Sequence, residues 1–350
     1  MRRLRYFLAL VPVAAAAEWM HASAALVFAL SALAIIPLAA LLGDATEELA
    51  AHAGPVAGGV INASLGNLAE LIIGVLALRA GMVDLVKASI TGSILGNLLL
   101  VLGAAQLAGG IRFKTQRFSR QLAGMNTSLL VVTVVGLVVP SLFLEAHPDP
   151  QHRLTVQMSE FVAALLVVGY ALSLAYSMGT HRSIFTQGTE AAKGSLAPAW
   201  SLRRTLAVLV AVSAGLAWMS ELLVGATQET VRSTGLSEFF VGIVLVPIIG
   251  NAAEHSSAIV MAMKDRMDLA LGIALGSSVQ VALLVAPVLV FSGLILRQPM
   301  DLAFSPFETV SVALAVWIAA VVVQDGESNW LEGAFLLLVY AVLAVAFYFF

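Results

Sequence analysis

Residues 66–70 read Gly-Asn-Leu-Ala-Glu, and residues 250–254 read Gly-Asn-Ala-Ala-Glu, displaced by 184 positions. Each copy lies within a long apolar run: 55–79 (PVAGGVINASLGNLAELIIGVLALR) and 236–262 (LSEFFVGIVLVPIIGNAAEHSSAIVMA). A helix needs about 20 apolar residues to cross a bilayer, so both runs predict membrane spans with a carboxylate, Glu70 or Glu254, well inside. At the same displacement Gly58 matches Gly242, Asp84-Leu85 matches Asp268-Leu269, and Gly92-Ser93 matches Gly276-Ser277. With a three-residue gap, Leu41 to Glu48 parallels Leu222 to Glu229. One GNxxE alone says little, but two followed at equal spacing by a Gly-Ser pair indicate an internal duplication.

Working outward, 60% of the 350 residues are hydrophobic, 11% are charged, and the mean hydropathy is +0.96. A soluble domain carries about 25% charged residues, so this chain cannot coat a soluble surface. Long continuous apolar runs also exclude a membrane barrel, whose strands are short and alternating. The fold class expected is an all-α polytopic membrane protein of about 11 transmembrane helices. The predicted spans are 6–20, 22–42, 55–79, 84–109, 121–145, 157–178, 204–224, 236–262, 268–293, 304–323 and 331–349. The first is read as a retained helix, although three arginines before an apolar stretch also have the form of a signal peptide.

The expected organisation is an N-terminal transmembrane helix at 1–21, a first repeat at 22–178, a cytoplasmic linker at 179–203, and a second repeat at 204–350. Five helices per repeat is an odd number, so the second copy must enter the membrane from the opposite face. Inverted repeats are a transporter architecture with the binding site near the midplane. With the N-terminus cytoplasmic, 13 of the 18 Lys and Arg fall on inner segments. That satisfies the positive-inside rule and puts the C-terminus on the opposite side; in a bacterium the membrane would be the inner one. A net charge of −3 and the lack of a basic domain argue against a nucleic-acid partner. With no cysteine, disulfides and thiolate metal sites are excluded.

An ionised carboxylate inside a span is costly and ordinarily marks an ion site or pathway. The bland alternative is a protonated Glu bonded to a neighbouring helix, which two copies at corresponding positions disfavour. Asn67 and Glu70 are three apart, as are Asn251 and Glu254, so each pair shares a helix face. Gly66 and Gly250 permit close approach or local unwinding. Pro247 removes a backbone donor just before Glu254, whereas the first copy has Ala63 there and predicts a less distorted helix. Further oxygen donors follow on the next helices, in Thr91-Gly92-Ser93 to Asn97 and in Gly276-Ser277-Ser278 to Gln280. Ser93 and Ser277 could equally bond back to their own helix. Gln280 matches Gly96 under the repeat, so the site should be only pseudo-symmetric.

Carboxylates, amides, hydroxyls and freed carbonyls suit a hard cation such as Ca2+, and two carboxylates match its charge. Glu70 and Glu254 are therefore the metal ligands expected. His255 points about 100° away from Glu254 around the helix; it reads as a packing or hydrogen-bonding residue, or as one tuning Glu254. A second acidic tier, Asp44, Glu47 and Glu48 after the second helix and Glu221 and Glu229 at the end of the seventh and the following outer loop, marks candidate access funnels or ordinary solvated helix ends. Glu221 stands out because it interrupts an apolar run.

The pair GNLAE (66–70) and GNAAEH (250–255), with ATEELA (45–50), GSILGNLLLVLG (92–103), FSPFETV (304–310) and VVQDGESNWLEGA (322–334), resembles the calcium/proton exchangers of the cation/proton exchanger family. The resemblance runs from about residue 40 onward. It implies one helix before two inverted five-helix repeats, and Ca2+ binding and proton carriage by Glu70 and Glu254. Asn97, Gln280, Ser93, Ser277 and carbonyls near Gly66 and Gly250 would complete the cation region, with Glu48, Glu221 and His255 as accessory residues. The linker has only Glu190, unlike relatives with an acid-rich helix there.

The expected activity is secondary antiport of Ca2+ for H+ by alternating access, with Ca2+ as cargo, no prosthetic group and no enzymatic chemistry. The expected partners are Ca2+, H+ and the lipid bilayer, with homo-oligomerisation compatible. The rivals are a Na+/Ca2+ exchanger of the same architecture, which would be expected to carry extra acidic ligands near the Gly-Ser segments, and a passive cation channel. No nucleophile–base arrangement or zinc motif supports an intramembrane hydrolase.

Overall fold

The computed structural model describes residues 4–147, 149, 153–180 and 198–350. Residues 181–197, most of the expected linker, and the first three residues of the expected N-terminal helix lie outside the described residues.

The helices are α1 (Leu10–Trp19), α2 (Ala24–Ala53), α3 (Pro55–Leu65), α4 (Leu68–Arg79), α5 (Val83–Phe113), α6 (Arg120–Ala146), α7 (Arg153–Gly179), α8 (Leu202–Thr234), α9 (Glu238–Gly250), α10 (Ala252–Ala262), α11 (Met267–Ile295), α12 (Pro306–Val322) and α13 (Trp330–Phe349). Among the described residues seven helices, α2, α5, α6, α7, α8, α11 and α13, are long and apolar enough to cross a bilayer, and up to nine spans result if each broken pair, α3–α4 and α9–α10, counts once. Two shorter apolar helices are Phe7–Trp19 and α12.

Local sequence explains the ends. Ser119, Ser201, Ser237 and Ser305 cap α6, α8, α9 and α12, each accepting a backbone N–H from three residues on. Gly235, at φ +74°, ends α8 in the left-handed conformation that glycine adopts without strain. Two expected boundaries need correction. α2 runs on to Ala53 and α8 to Thr234, so Asp44, Glu47 and Glu48 lie within a helix, and Glu229 is helical rather than in a loop. Hydropathy marks the apolar core of a span, but backbone hydrogen bonding carries a helix into the polar boundary beyond it.

The breaks fall at the duplicated motif. α3 and α4 meet at Gly66-Asn67 with a 42° bend, and α9 and α10 meet at Asn251 with a 60° bend. The steeper bend belongs to the copy with Pro247. π-Helical turns interrupt α5 at Gly96–Val101, α9 at Val241–Leu245 and α11 at Val281–Val285. The last two each precede a proline by two residues, Pro247 and Pro287. Proline lacks an N–H and its ring clashes with the carbonyl four residues back; a wider turn there removes the clash. The turns in α5 and α11 also lie at nearly matching positions of the duplication.

Two compact units form. The first comprises Met1–Ser89, Ser195–Ala253 and Phe350. Its centre is α2 packed along α8, whose buried residues Val212, Leu216, Met219, Leu223 and Thr227 recur every three or four positions. Gly242 of α9 sits against α5, where an added Cβ would lie 2.7 Å from Ala88 Cβ.

The second comprises Ile90–Gly194 and Glu254–Phe349. Here α5 crosses α13 where Gly103 faces Gly333, and a Cβ on Gly103 would lie 2.9 Å from the Gly333 carbonyl oxygen. Strands β1 (Thr115–Arg117) and β2 (Glu327–Asn329) pair antiparallel with Gln116 opposite Ser328. Between them and α10, the buried Gln116 side chain donates to Ala262 O and Asp265 Oδ1, both at 2.9 Å, which ties down the C-terminal end of α10. Val132, Leu142, Phe161, Leu165 and Val342 are exposed, while Asn97 and Gln106 are buried. Apolar outside and polar inside is the distribution expected of a chain solvated by lipid.

Candidate cation site

In the first unit the break between α3 and α4 buries Asn67 completely and puts Glu70 in the first turn of α4. A carboxylate is favoured there by the helix dipole. Gly250, the last residue of α9, lies beside it: a Cβ on Gly250 would be 3.8 Å from Glu70 Cγ and 3.6 Å from Ile73 Cδ1. Asn251, at the second break, is 1% exposed. Gly66, Asn67, Glu70, Gly250 and Asn251 therefore all belong to this unit, and Gly250 is placed against Glu70.

In the second unit Glu254 lies in the first turn of α10 and is only partly exposed, with Oε2 buried and without a hydrogen-bond partner among the described residues. The Ser277 hydroxyl of α11 hydrogen-bonds the Glu254 carboxylate. The Asn97 amide of α5 donates to Ser277 Oγ at 3.1 Å. Asn97 and Ser277 are 1% and 5% exposed, so this relay of amide, hydroxyl and carboxylate is sheltered. Asn97 uses its nitrogen here, and its carbonyl oxygen is the end a cation would take. Ser93 is buried one turn before Asn97, and Gln280 is partly buried one turn after Ser277. His255 follows Glu254, and its Nε2 is buried with no partner among the described residues.

The accessory acids are engaged elsewhere. Glu48 accepts the Trp200 backbone N–H at 3.0 Å, and His52, one turn on, donates to the Trp200 carbonyl at 2.9 Å. The two clamp the chain just ahead of α8. Glu221 pairs with Arg79, the last residue of α4, at 2.7 Å, and both side chains are more than half exposed. Among the described residues, no three His, Asp or Glu side chains gather as in a metal cage.

Sequence reading missed the π-turns, the Gln116 clasp, the Arg79–Glu221 pair, and a buried contact between Thr91 and Glu308 (3.0 Å). The prolines signalled two of the turns, and Ser305-Pro-Phe-Glu308 has the spacing of a capping box. Nothing local pairs Gln116 with α10.

These features define a polytopic helical membrane protein in which polar side chains collect where spans are broken, the construction by which transporters present backbone and side-chain oxygens to ions. The sequence profile of the sodium/calcium exchanger protein family matches residues 23–179 and 204–349, and the chain belongs to that family. It is 44% identical to the Ca(2+)/H(+) antiporter of Synechocystis sp. over 358 residues, covering 97% of this chain and 95% of that protein. It is 38% identical to the Ca(2+)/H(+) antiporter ChaA of Bacillus subtilis over 340 residues, with 97% and 96% covered. The solved structure of native YfkE superposes with a TM-score of 0.85 at 35% identity, covering 99% of each chain. The H+/Ca2+ exchanger CAX, 17% identical, shares the fold with a TM-score of 0.76 over 99% of this chain and 91% of that one.

Proposed function

We propose that the protein is a secondary active antiporter that exchanges Ca2+ for H+ by alternating access and expels cytoplasmic Ca2+ on an inward proton gradient. The observation that carries this reading is the sheltered relay Asn97–Ser277–Glu254, in which a carboxylate at a helix break is flanked by neutral oxygen donors. The antiporter names of the Synechocystis and Bacillus relatives support it. Glu70 and Glu254 ionise to hold the cation and take up protons when it leaves. Asn67, Asn251, Asn97, Gln280, Ser93, Ser277 and the backbone near Gly66 and Gly250 supply the other oxygens. Glu48, Glu221 and His255 act around them. Ca2+ is cargo; the protein needs no prosthetic group and is not an enzyme.

Eleven spans result when Phe7–Trp19 and α12 are added to the nine. The layout is one helix at 1–21, repeats at 22–178 and 204–350 of opposite topology, and a cytoplasmic linker at 179–203. Two separate profile matches on either side of the linker support the duplication, as do helix breaks at Asn67 and Asn251. The N-terminus is cytoplasmic, the C-terminus is on the far side, and in a bacterium the membrane is the inner one.

Glu70→Gln and Glu254→Gln each preserve shape and remove the charge. Either should abolish pH-driven Ca2+ uptake in inverted vesicles, a loss of at least about 100-fold at the scale of a buried charge–cation contact. Near-normal uptake by either variant sinks the assignment. The family profile itself favours a second reading, Na+/Ca2+ exchange. A Na+ gradient that drives uptake where a pH gradient does not would select it.

A further inference from the structure

The capping box that starts α12 has a member that the transport reading leaves unused. Glu308 is 3% exposed. Its Oε2 accepts the Ser305 backbone N–H at 3.0 Å, and its own N–H donates to Ser305 Oγ at 3.2 Å. A capping-box acid has no further task in a helix start. Here the other oxygen, Oε1, accepts the Thr91 hydroxyl at 3.0 Å, and Thr91 is 2% exposed. Gln serves a capping box as Glu does, and burying a carboxylate is costly, so the cap alone does not explain the acid. What the carboxylate adds is a stronger, charge-assisted bond to the hydroxyl.

Thr91 lies on α5 just ahead of Ser93 and Asn97, within the same unit, and Asn97 holds Ser277. A small cavity adjoins the pair, lined also by Leu137, Val138 and Phe304. Beside a cavity fewer packing contacts oppose a shift of Thr91, and the bond from Glu308 adds a restraint. Under the duplication the corresponding positions are Leu275 and Gly124, so the device exists once, as does Asn97, whose counterpart is Val281.

We propose that Glu308 is a positioning residue of the cation cluster: by holding Thr91 it sets the register in which α5 presents Ser93 and Asn97. This inference rests on reading that cluster as cation-binding. The test is Ca2+ uptake by proteoliposomes under a fixed pH gradient, with KM and maximal rate measured for wild type, Thr91→Val, Thr91→Ser, Glu308→Gln and the double variant T91V/E308Q. Thr91→Val should raise KM for Ca2+ roughly three- to tenfold, the worth of one hydrogen bond, with the maximal rate within about twofold. Thr91→Ser should restore the wild-type KM. Glu308→Gln should raise KM less, and the double variant should be no worse than Thr91→Val, because both changes act on one bond. An unchanged KM in Thr91→Val, a Thr91→Ser variant as impaired as Thr91→Val, or additive losses overturn the proposal while leaving the antiport reading intact. If Thr91→Val fails to reach the membrane, an unchanged KM in Glu308→Gln overturns it equally. A wild-type protein that moves no Ca2+ under the pH gradient sinks the antiport reading, and this inference with it.

Discussion

A methyl group on Gly242 would lie 2.7 Å from Ala88 Cβ and 2.9 Å from the Leu85 carbonyl oxygen. Backbone on one side cannot yield, so Gly242→Val should destabilise the protein by about 1–3 kcal/mol, the usual cost of overpacking. The check is the melting temperature in detergent, expected to fall by several degrees; an unchanged value refutes the close packing. Its counterpart Gly58 meets the Ala50 carbonyl of α2. The duplicated glycines were visible in sequence, but the neighbours that demand them come from distant segments. The acids divide in the same way. Glu70 and Glu254 announced themselves by sitting inside apolar runs, whereas the partners of Glu48 and Glu221, Trp200 and Arg79, are remote in sequence.

Among elements, periodicity and hydropathy located the spans, and glycine and proline marked where two of them break. Ends were less legible, because α2 and α8 extend past their apolar cores. The short β1–β2 pair escaped notice, since three-residue strands have no periodicity to read. One end has a pH dependence. Ahead of α7, Asp149 Oδ2 accepts the Thr155 backbone N–H at 2.9 Å and its hydroxyl at 3.1 Å. The backbone bond from Thr155, foremost, holds the Asp149 carboxyl below the usual carboxylate range. A lowered folded value means that the cap stabilises the helix start at pH above the ordinary carboxylate range. It is lost as pH falls through the folded value. Hydrogen exchange at the amides of residues 154–156 should therefore be faster in Asp149→Ala than in wild type near neutral pH. The two should converge as pH falls through the lowered folded value, below the ordinary carboxylate range. Equal rates at neutral pH would show that the cap contributes nothing.

For the whole molecule, the distribution of charge is the governing fact. With 18 Lys and Arg in 350 residues, each basic residue weighs on topology, and under the proposed orientation the inner segments hold most of them. Reporters fused to the two ends should therefore report opposite sides of the membrane, the N-terminal one cytoplasmic. Signal from both on one side would exclude an odd number of spans. Exposed apolar side chains on α6, α7 and α13 agree with a chain whose outer solvent is lipid.

Sequence by itself determined the membrane class, the glycine and proline positions at which two spans could unwind, and the two carboxylates inside apolar runs. All three follow from local quantities: the length of apolar runs, the conformational freedom of glycine, the missing N–H of proline, and the cost of charge in hydrocarbon. Only the tertiary structure decided which neutral groups meet Glu254 and how the other buried polar side chains pair. The Asn97–Ser277 bond, the Glu308–Thr91 anchor and the Gln116 clasp each join segments more than 140 positions apart. Hydrogen bonds of that kind depend on the packing of whole helices, and no spacing along the chain encodes them.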